Sequence, residues 1–297
     1  MAESKSTWLI TGANGFLGSN APRYLSPGLT LVAATRSGSL EPGFTRSVSL
    51  DLSRTQDLEA QIRVASPSVI LHAAALANHE QCETDRVLAH RINTVATARL
   101  AALAESLGAQ FVYVSTDAVF DGAHGNYAET DQVSPFSVYG ETKYAGEIAA
   151  LAETDALIIR TNFFGWSPSG ERSILEFFVN NLAKGTLVNG YTDFIVTSIY
   201  AGDLLEQIES LVNADAHGIF HLASSDALSK FDFGVTVARQ FGLDASLISP
   251  RSASSGAHDT SRVRNLSLNT DLVTSTLGYP MPSQVDGIIR AKVERLA

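Results

Sequence analysis

A short apolar run followed by three evenly spaced glycines, at the head of the chain, limits the fold more than any other feature. Trp8-Leu9-Ile10 ends at Thr11-Gly12, and Gly12, Gly15 and Gly18 follow at intervals of three. The run reads as a buried parallel strand, and the residues to about Leu25 read as a helix. Glycines at such a junction let the backbone turn tightly and approach a pyrophosphate, whose charge sits at the helix N-terminus. Gly12, Asn14, Gly15, Phe16, Leu17 and Gly18 are therefore the candidate phosphate cradle. The spacing differs by one residue from the commoner dinucleotide fingerprint, and a glycine-rich surface turn is the plainer alternative. Pro22 predicts a kink or a late start in the helix.

Strand and helix patterns alternate through the first 160 residues, which predicts an α/β doubly wound parallel sheet of Rossmann-like type. Leu29–Thr35 is the second strand. No acidic residue stands at its end, where an NAD-binding unit holds the ribose 2′-hydroxyl. Arg36 and Ser37 stand there instead, and a guanidinium with a hydroxyl suits a 2′-phosphate. This favours NADP(H) over NAD(H). The third strand, Ser47–Leu50, runs into Asp51-Leu52; Asp51 either accepts from an adenine amino group or caps the helix predicted at Thr55–Val64. Ser68–His72 is the fourth strand, and the small residues Ala73 and Ala74 after it let a cofactor lie close to the backbone. His72 reads as structural. Glu83–Leu107 is predicted as one long helix ended by Gly108, with Asn93 unfavourably placed inside it unless it has a task.

Phe111–Ser115 is the fifth strand, and Thr116 and Asp117 fall at its carboxyl end, where open α/β sheets bind ligands. A loop then leads to Ser137-Val-Tyr139-Gly-Glu-Thr-Lys143. On a helix Tyr139 and Lys143 share one face, a turn apart. A free phenol titrates near ~10 and is a poor acid at neutral pH, but a close cation stabilises the phenolate. A shift of about three units needs roughly 4 kcal/mol, within reach of one partly desolvated cation. Taken alone the pair reads better as an amphipathic helix with a half-buried Tyr and a solvated Lys; the rest of the chain reverses that. Ala156–Arg160 is the next strand, followed by Asn162. Beyond it the pattern loosens: helices are expected at Ser173–Ala183, Asp203–Val212 and Ser229–Phe241, an extended stretch at Asp193–Ser198, a strand at Gly218–Leu222, a loop at Arg251–His258 and two terminal helices near Asp271–Leu277 and Ser283–Leu296.

The 297 residues suffice for one large or two modest cores. A formal net charge of −10 argues against nucleic-acid and anionic-membrane binding. Cys82 is the only cysteine, so no disulfide framework exists, and His79 with Cys82 lacks a second ligand pair, so no metal site is expected. Met1–Thr7 has no apolar signal core, and no apolar run approaches a membrane span. A cytoplasmic, soluble protein is expected.

The chain resembles the extended short-chain dehydrogenase/reductases and, more narrowly, the dTDP-4-dehydrorhamnose reductase family. The segments that carry this are Thr11-Gly-Ala-Asn-Gly-Phe-Leu-Gly18, Leu71-His-Ala-Ala-Ala75, Val114-Ser-Thr-Asp-Ala-Val-Phe-Asp-Gly122, Pro135-Phe-Ser-Val-Tyr-Gly-Glu-Thr-Lys-Tyr-Ala-Gly-Glu147, Arg160-Thr-Asn-Phe-Phe-Gly165 and Arg264-Asn-Leu-Ser-Leu268. The resemblance implies Thr116, Tyr139 and Lys143 as catalytic residues: Thr116 bonding the substrate oxygen, Tyr139 donating the proton, Lys143 lowering the phenol's pKa and holding the nicotinamide ribose. It places Asn162 near the substrate; Asp117 and Arg264 are further substrate candidates, and Arg251, Arg262 and Arg264 are candidates to meet a substrate diphosphate, with a solvated surface charge as the alternative reading of each. The chain departs from the family at Ala118, where an aromatic residue is usual, and in Phe163–Arg172. Residues 1–162 are expected to form an NADP(H)-binding Rossmann domain, rejoined at about 192–226, with 163–297 mainly a smaller mixed α/β substrate domain. The expected activity is NADP(H)-dependent reduction of a nucleotide-linked 4-keto-6-deoxy sugar, and a homodimer is the default assembly. The rivals are an epimerase or dehydratase that recycles NAD(P), and a non-catalytic NADP-binding regulatory subunit.

Overall fold

The structure, a computed structural model, describes residues 6–54, 58–253 and 265–296. Six strands open the chain: β1 (Thr7–Thr11), β2 (Thr30–Thr35), β3 (Arg46–Ser49), β4 (Val69–His72), β5 (Gln110–Val114) and β6 (Leu157–Arg160). Four short ones follow, β7 (Phe163–Phe164), β8 (Val188–Tyr191), β9 (Ile195–Val196) and β10 (Ile199–Tyr200). Then come β11 (Gly218–His221), β12 (Leu228–Ser229) and β13 (Ile248–Arg251). The central sheet has seven strands in the order β11-β6-β5-β4-β1-β2-β3, all pairs parallel. The order reverses between β1 and β4, and open sheets bind dinucleotides beyond the carboxyl ends of the strands at such a switch point.

The helices are α1 (Phe16–Tyr24), α2 (Leu58–Ala65), α3 (His79–Thr84), α4 (Arg86–His90), α5 (Ala96–Leu107), α6 (Val138–Glu153), α7 (Ile174–Ala183), α8 (Ala201–Asn213), α9 (Lys230–Phe241), α10 (Asp271–Leu277) and α11 (Gln284–Leu296). Both faces of the sheet are covered, and the period-two alternation of each strand sorts its side chains between them. Trp8, Ile10, Leu71, Val112 and Ile159 pack into one layer with Leu17, Leu204 and Ile208. Leu9, Ile70, Phe111 and Ile158 pack into the other with Ile62 and Leu100. Each such side chain contributes about 1.5–3 kcal/mol by leaving water.

Two local expectations are revised. Pro22 lies inside α1, which runs unbroken from Phe16 to Tyr24. The helix expected over Glu83–Leu107 is divided. Asp85 leaves helical geometry (φ −130°, ψ 73°) and its carboxylate caps α4 by accepting from Leu88 N at 2.9 Å. A π-turn at Arg91–Val95 then precedes α5. Asn93 sits in that turn, fully buried. It accepts from Leu76 N at 2.8 Å and donates to the Leu76 carbonyl at 3.1 Å and to Thr142 Oγ1 at 3.0 Å. Its task is to clamp the loop after β4 to α6. Gly108 ends α5 in the left-handed conformation.

Candidate active site

The turn after β1 is built by glycine. Gly12 takes φ +68°, and a Cβ there would lie 3.0 Å from Ala74 Cα. A Cβ on Gly18 would collide with the Gly12 carbonyl. Gly15 begins α1 with no side-chain cap, so the first N–H groups of the helix stay available to an anion. Asn14 is exposed at this turn and Leu17 is buried beneath it. Phe16 packs on Phe163, ring centroids 5.0 Å apart. Ala74 N is tied to Thr11 Oγ1 at 3.1 Å, which holds Ala73-Ala74 beside the glycine turn. Arg36 and Ser37 are exposed at the end of β2. These residues fit a dinucleotide: an open helix N-terminus, a cradle that a Cβ would fill, and a guanidinium in place of a carboxylate. Asp51 closes its own turn, accepting from Ser53 N at 3.0 Å and Ser53 Oγ at 2.7 Å; these bonds hold its carboxyl below the usual range. Leu52 is buried behind it.

A cleft of about 670 Å³ opens beside this turn, lined by Thr116, Asp117, Ala118, Tyr139, Asn162 and Phe163 on its floor. Ser137 caps α6, accepting from Gly140 N at 3.2 Å, and so fixes where the helix carrying Tyr139 begins. Thr116 Oγ1 donates to Asp117 Oδ1 at 3.1 Å and accepts from Ala118 N at 3.1 Å. Asn162 Nδ2 donates to Asp117 Oδ2 at 2.9 Å, and Ser198 Oγ donates to Asn162 Oδ1 at 2.7 Å. Burial pushes the Asp117 carboxyl up to about 6, against these hydrogen bonds and the field of Lys230. Thr116, Asp117, Tyr139 and Asn162 are thus brought together.

Lys143 lies behind the floor, buried. Its Nζ donates to the Val114 carbonyl at 2.7 Å and sits 3.9 Å from the Tyr113 ring centroid. Burial pushes the ammonium down to about 7, with the Glu147 carboxylate opposing. Here the structure departs from expectation. The sequence reading has Lys143 drawing the phenol toward neutrality. Instead the ammonium is engaged by Val114 and Tyr113, and burial of the phenol prevails. Burial holds Tyr139 above its ordinary value and the Asp117 charge adds to this, while the neighbouring Thr116 hydroxyl opposes them. Below the floor Arg160 and Glu147, both buried, pair at 2.8 Å, and Ser115 Oγ donates to Glu147 at 2.5 Å.

Several cleft residues escape sequence reasoning. Lys230 enters from the start of α9, 3.7 Å from the Phe194 ring centroid, and Arg172 enters from the stretch before α7. That stretch is pinned to other elements: Asn20 donates to the Trp166 carbonyl at 3.0 Å and Trp166 Nε1 to the Ala291 carbonyl at 2.9 Å. The aromatics Phe177, Tyr191 and Phe194 complete the outer wall. No motif marks these residues; only the pinning of the loop and the cap Ser229 place them. Arg251 stays exposed on β13, its Nε 3.4 Å from Oδ1 of Asn189 in the cleft wall. Arg262 and Arg264 lie outside the described residues. Among the described residues no group of three or more His, Cys, Asp or Glu could hold a metal, and no helix is long and apolar enough to cross a membrane.

Sheet order, glycine turn and the Tyr139–Lys143 helix define the extended short-chain dehydrogenase/reductase class. The chain belongs to the RmlD substrate binding domain family, whose sequence profile matches residues 6–294. It is 31% identical over 287 residues to the probable low-salt glycan biosynthesis reductase Agl14 of Haloferax volcanii, covering 94% of this chain and 95% of that one. It is 30% identical over 261 residues to the dTDP-4-dehydrorhamnose reductase of Mycobacterium tuberculosis, covering 85% and 81%. The crystal structure of dTDP-4-dehydrorhamnose reductase from Bacillus anthracis in complex with NADP superposes with a TM-score of 0.87 at 25% identity, covering 98% of this chain and all of that one.

Proposed function

We propose that the protein is an NADPH-dependent reductase of a nucleotide-linked 4-keto-6-deoxy sugar. The observation that carries this reading is the convergence of Thr116, Tyr139, Asp117 and Asn162 on the floor of one cleft, beside a glycine turn shaped for a dinucleotide. NADPH, when bound, supplies the hydride. Gly12, Asn14, Gly15, Phe16, Leu17 and Gly18 seat its pyrophosphate, Arg36 and Ser37 its 2′-phosphate, Asp51 and Leu52 its adenine side, and Ala73 and Ala74 its inner edge. Tyr139 gives its proton to the carbonyl oxygen as negative charge develops there. Thr116 hydrogen-bonds the same oxygen, and Lys143 holds the nicotinamide ribose. Asp117 and Asn162 orient the sugar hydroxyls. Arg172 and Lys230 meet the diphosphate, a role the sequence reading gave to Arg251, Arg262 and Arg264.

Residues 1–162 with 192–226 then act as the cofactor unit, a division supported by the pairing of β11 with β6, and the rest of 163–297 mainly as the substrate unit. The reading sets the enzyme in the cytoplasm, where a lone cysteine stays reduced, and as a homodimer, the commonest closed assembly. The test is loss of NADPH absorbance with dTDP-4-keto-6-deoxyglucose or its isomerised form, with NADH alongside. Turnover with NADPH supports the reading. NADPH binding without turnover on any keto-sugar sinks it in favour of a regulatory subunit. Substrate conversion without net NADPH loss sinks it in favour of a recycling epimerase or dehydratase.

A further inference from the structure

His79, the first residue of α3, lines the cleft and lies against Tyr139, ring centroids 4.8 Å apart with planes at 46°. The pair is fixed from both sides. Asn78 caps α3 by accepting from Gln81 N at 2.8 Å. Glu83, one turn on, accepts from Val138 N at 2.9 Å and so ties α3 to the first residue of α6. Cys82, Ala89 and Val138 form a buried cluster against which Tyr139 packs. The phenol therefore has a protein floor on one side and an imidazole on the other. His79 itself remains exposed to solvent on its outer side.

Three groups face this imidazole: Glu83 on its own helix, Lys230 from α9 across the cleft, and Tyr139 from α6. Burial and Lys230 push its proton affinity below the ordinary histidine value, and Glu83 opposes them. It is the titratable side chain in ring contact with the proposed proton donor, and it has a path to bulk water.

We propose that His79 is a positioning residue for Tyr139: its ring holds the phenol in the donor orientation, and its protonation sets how readily the phenol releases its proton. The kinetic part of this rests on the reductase reading. The mechanism is electrostatic and steric. An imidazolium against the ring stabilises the developing phenolate, and a neutral imidazole does not. The ring contact limits Tyr139 to orientations in which its hydroxyl faces Thr116. Misplacement of a reacting group costs up to ~10²-fold in rate.

The experiment has one arm that needs no substrate. The protein is labelled at the tyrosine ζ-carbons, the Tyr139 resonance is assigned with Tyr139→Phe, and it is followed by NMR from about pH 5 to about 8. The expected result is an inflection below the ordinary histidine value of about 6.5, coincident with the titration of the His79 imidazole and absent in His79→Phe. A Tyr139 resonance that ignores the His79 titration overturns the coupling. In the kinetic arm His79→Phe keeps the ring, and its kcat at neutral pH stays within about threefold of the starting protein while the acid-side inflection disappears. His79→Ala loses the ring, and kcat falls about tenfold with KM for NADPH unchanged. Equal kcat in His79→Ala and the starting protein overturns the positioning role. If the starting protein turns over no keto-sugar, the reductase reading fails, and the NMR arm still decides the coupling of His79 to Tyr139.

Discussion

Asn162 donates to Asp117 across 2.9 Å, and that bond is the middle link of a chain that runs from Ser198 through Asn162 and Asp117 to Thr116. The ionised Asp117 carboxylate can only accept, so the Asn162 amide faces it and the Asn162 carbonyl oxygen is left to accept from Ser198. Two donors then meet one carboxylate on the cleft floor, and the Thr116 hydroxyl is oriented by it.

The Asp117 carboxyl makes this chain pH-dependent. Burial raises it from its ordinary 3.8 to about 6. The folded chain then holds the Asp117 proton more tightly than the unfolded chain. Its contribution is favourable below about pH 4 and is lost as pH rises through about 6, a swing of about 3 kcal/mol. Asp117→Asn has no proton to lose. The melting temperature of Asp117→Asn relative to the unsubstituted protein should therefore climb from about pH 4 to about pH 7. A constant difference across that window refutes the assignment.

Tyr139 is the proton donor in the proposed reaction, and its ring packs on His79 and the Cys82 cluster. Tyr139→Phe should lower kcat by roughly 10²–10⁴-fold, the range for a lost general acid, with the NADPH dissociation constant within about twofold. NADPH fluorescence titration and steady-state kinetics check both halves. A fall in affinity equal to the fall in rate would make Tyr139 a binding residue only.

Much of this was legible in the sequence, for local reasons. The turn after β1 needs Gly12 at positive φ and Gly18 for lack of space, so the glycines announce it. Ser137, Ser173 and Ser229 cap their helices through their own side chains, so each helix start is written in one residue. The failures are non-local. The 83–107 stretch has helical composition throughout, and what divides it is the Asp85 cap and the grip of Asn93 on Leu76 and Thr142. Lys230 and Arg172 reach the cleft by the docking of distant elements. The proton affinity of Tyr139 depends on burial, which spacing along a helix does not reveal.

The Glu147–Arg160 pair beneath the floor is a stability element with a directional signature. Both side chains are buried, and Arg160 makes three bonds to the two carboxylate oxygens, at 2.8, 3.1 and 3.1 Å. Removing one partner leaves an uncompensated charge in a medium that cannot solvate it, at a cost of about 3–5 kcal/mol. Glu147→Gln should therefore lower stability by about that amount, while Glu147→Leu with Arg160→Met should cost less than either single change. Chemical denaturation of the three variants measures this. A double variant as unstable as the sum of its parts would mean zero coupling between the two side chains and would overturn the uncompensated-charge account.

Arg36 carries the choice of cofactor in the proposed enzyme. It stands exposed at the end of β2, its carbonyl held by Ser49 Oγ at 3.1 Å, so its backbone is fixed while its guanidinium faces water. An ion pair to a 2′-phosphate at such a site is worth about 1.5–3 kcal/mol and is weakened by salt. Arg36→Ala should raise the NADPH dissociation constant by roughly 10- to 100-fold and leave that for NADH nearly unchanged, since NADH has no phosphate to lose. Added salt should weaken NADPH binding to the unsubstituted protein more than to the variant. The opposite pattern, an equal loss for both cofactors, would place Arg36 in the structure of the turn, with the 2′-phosphate held by other groups.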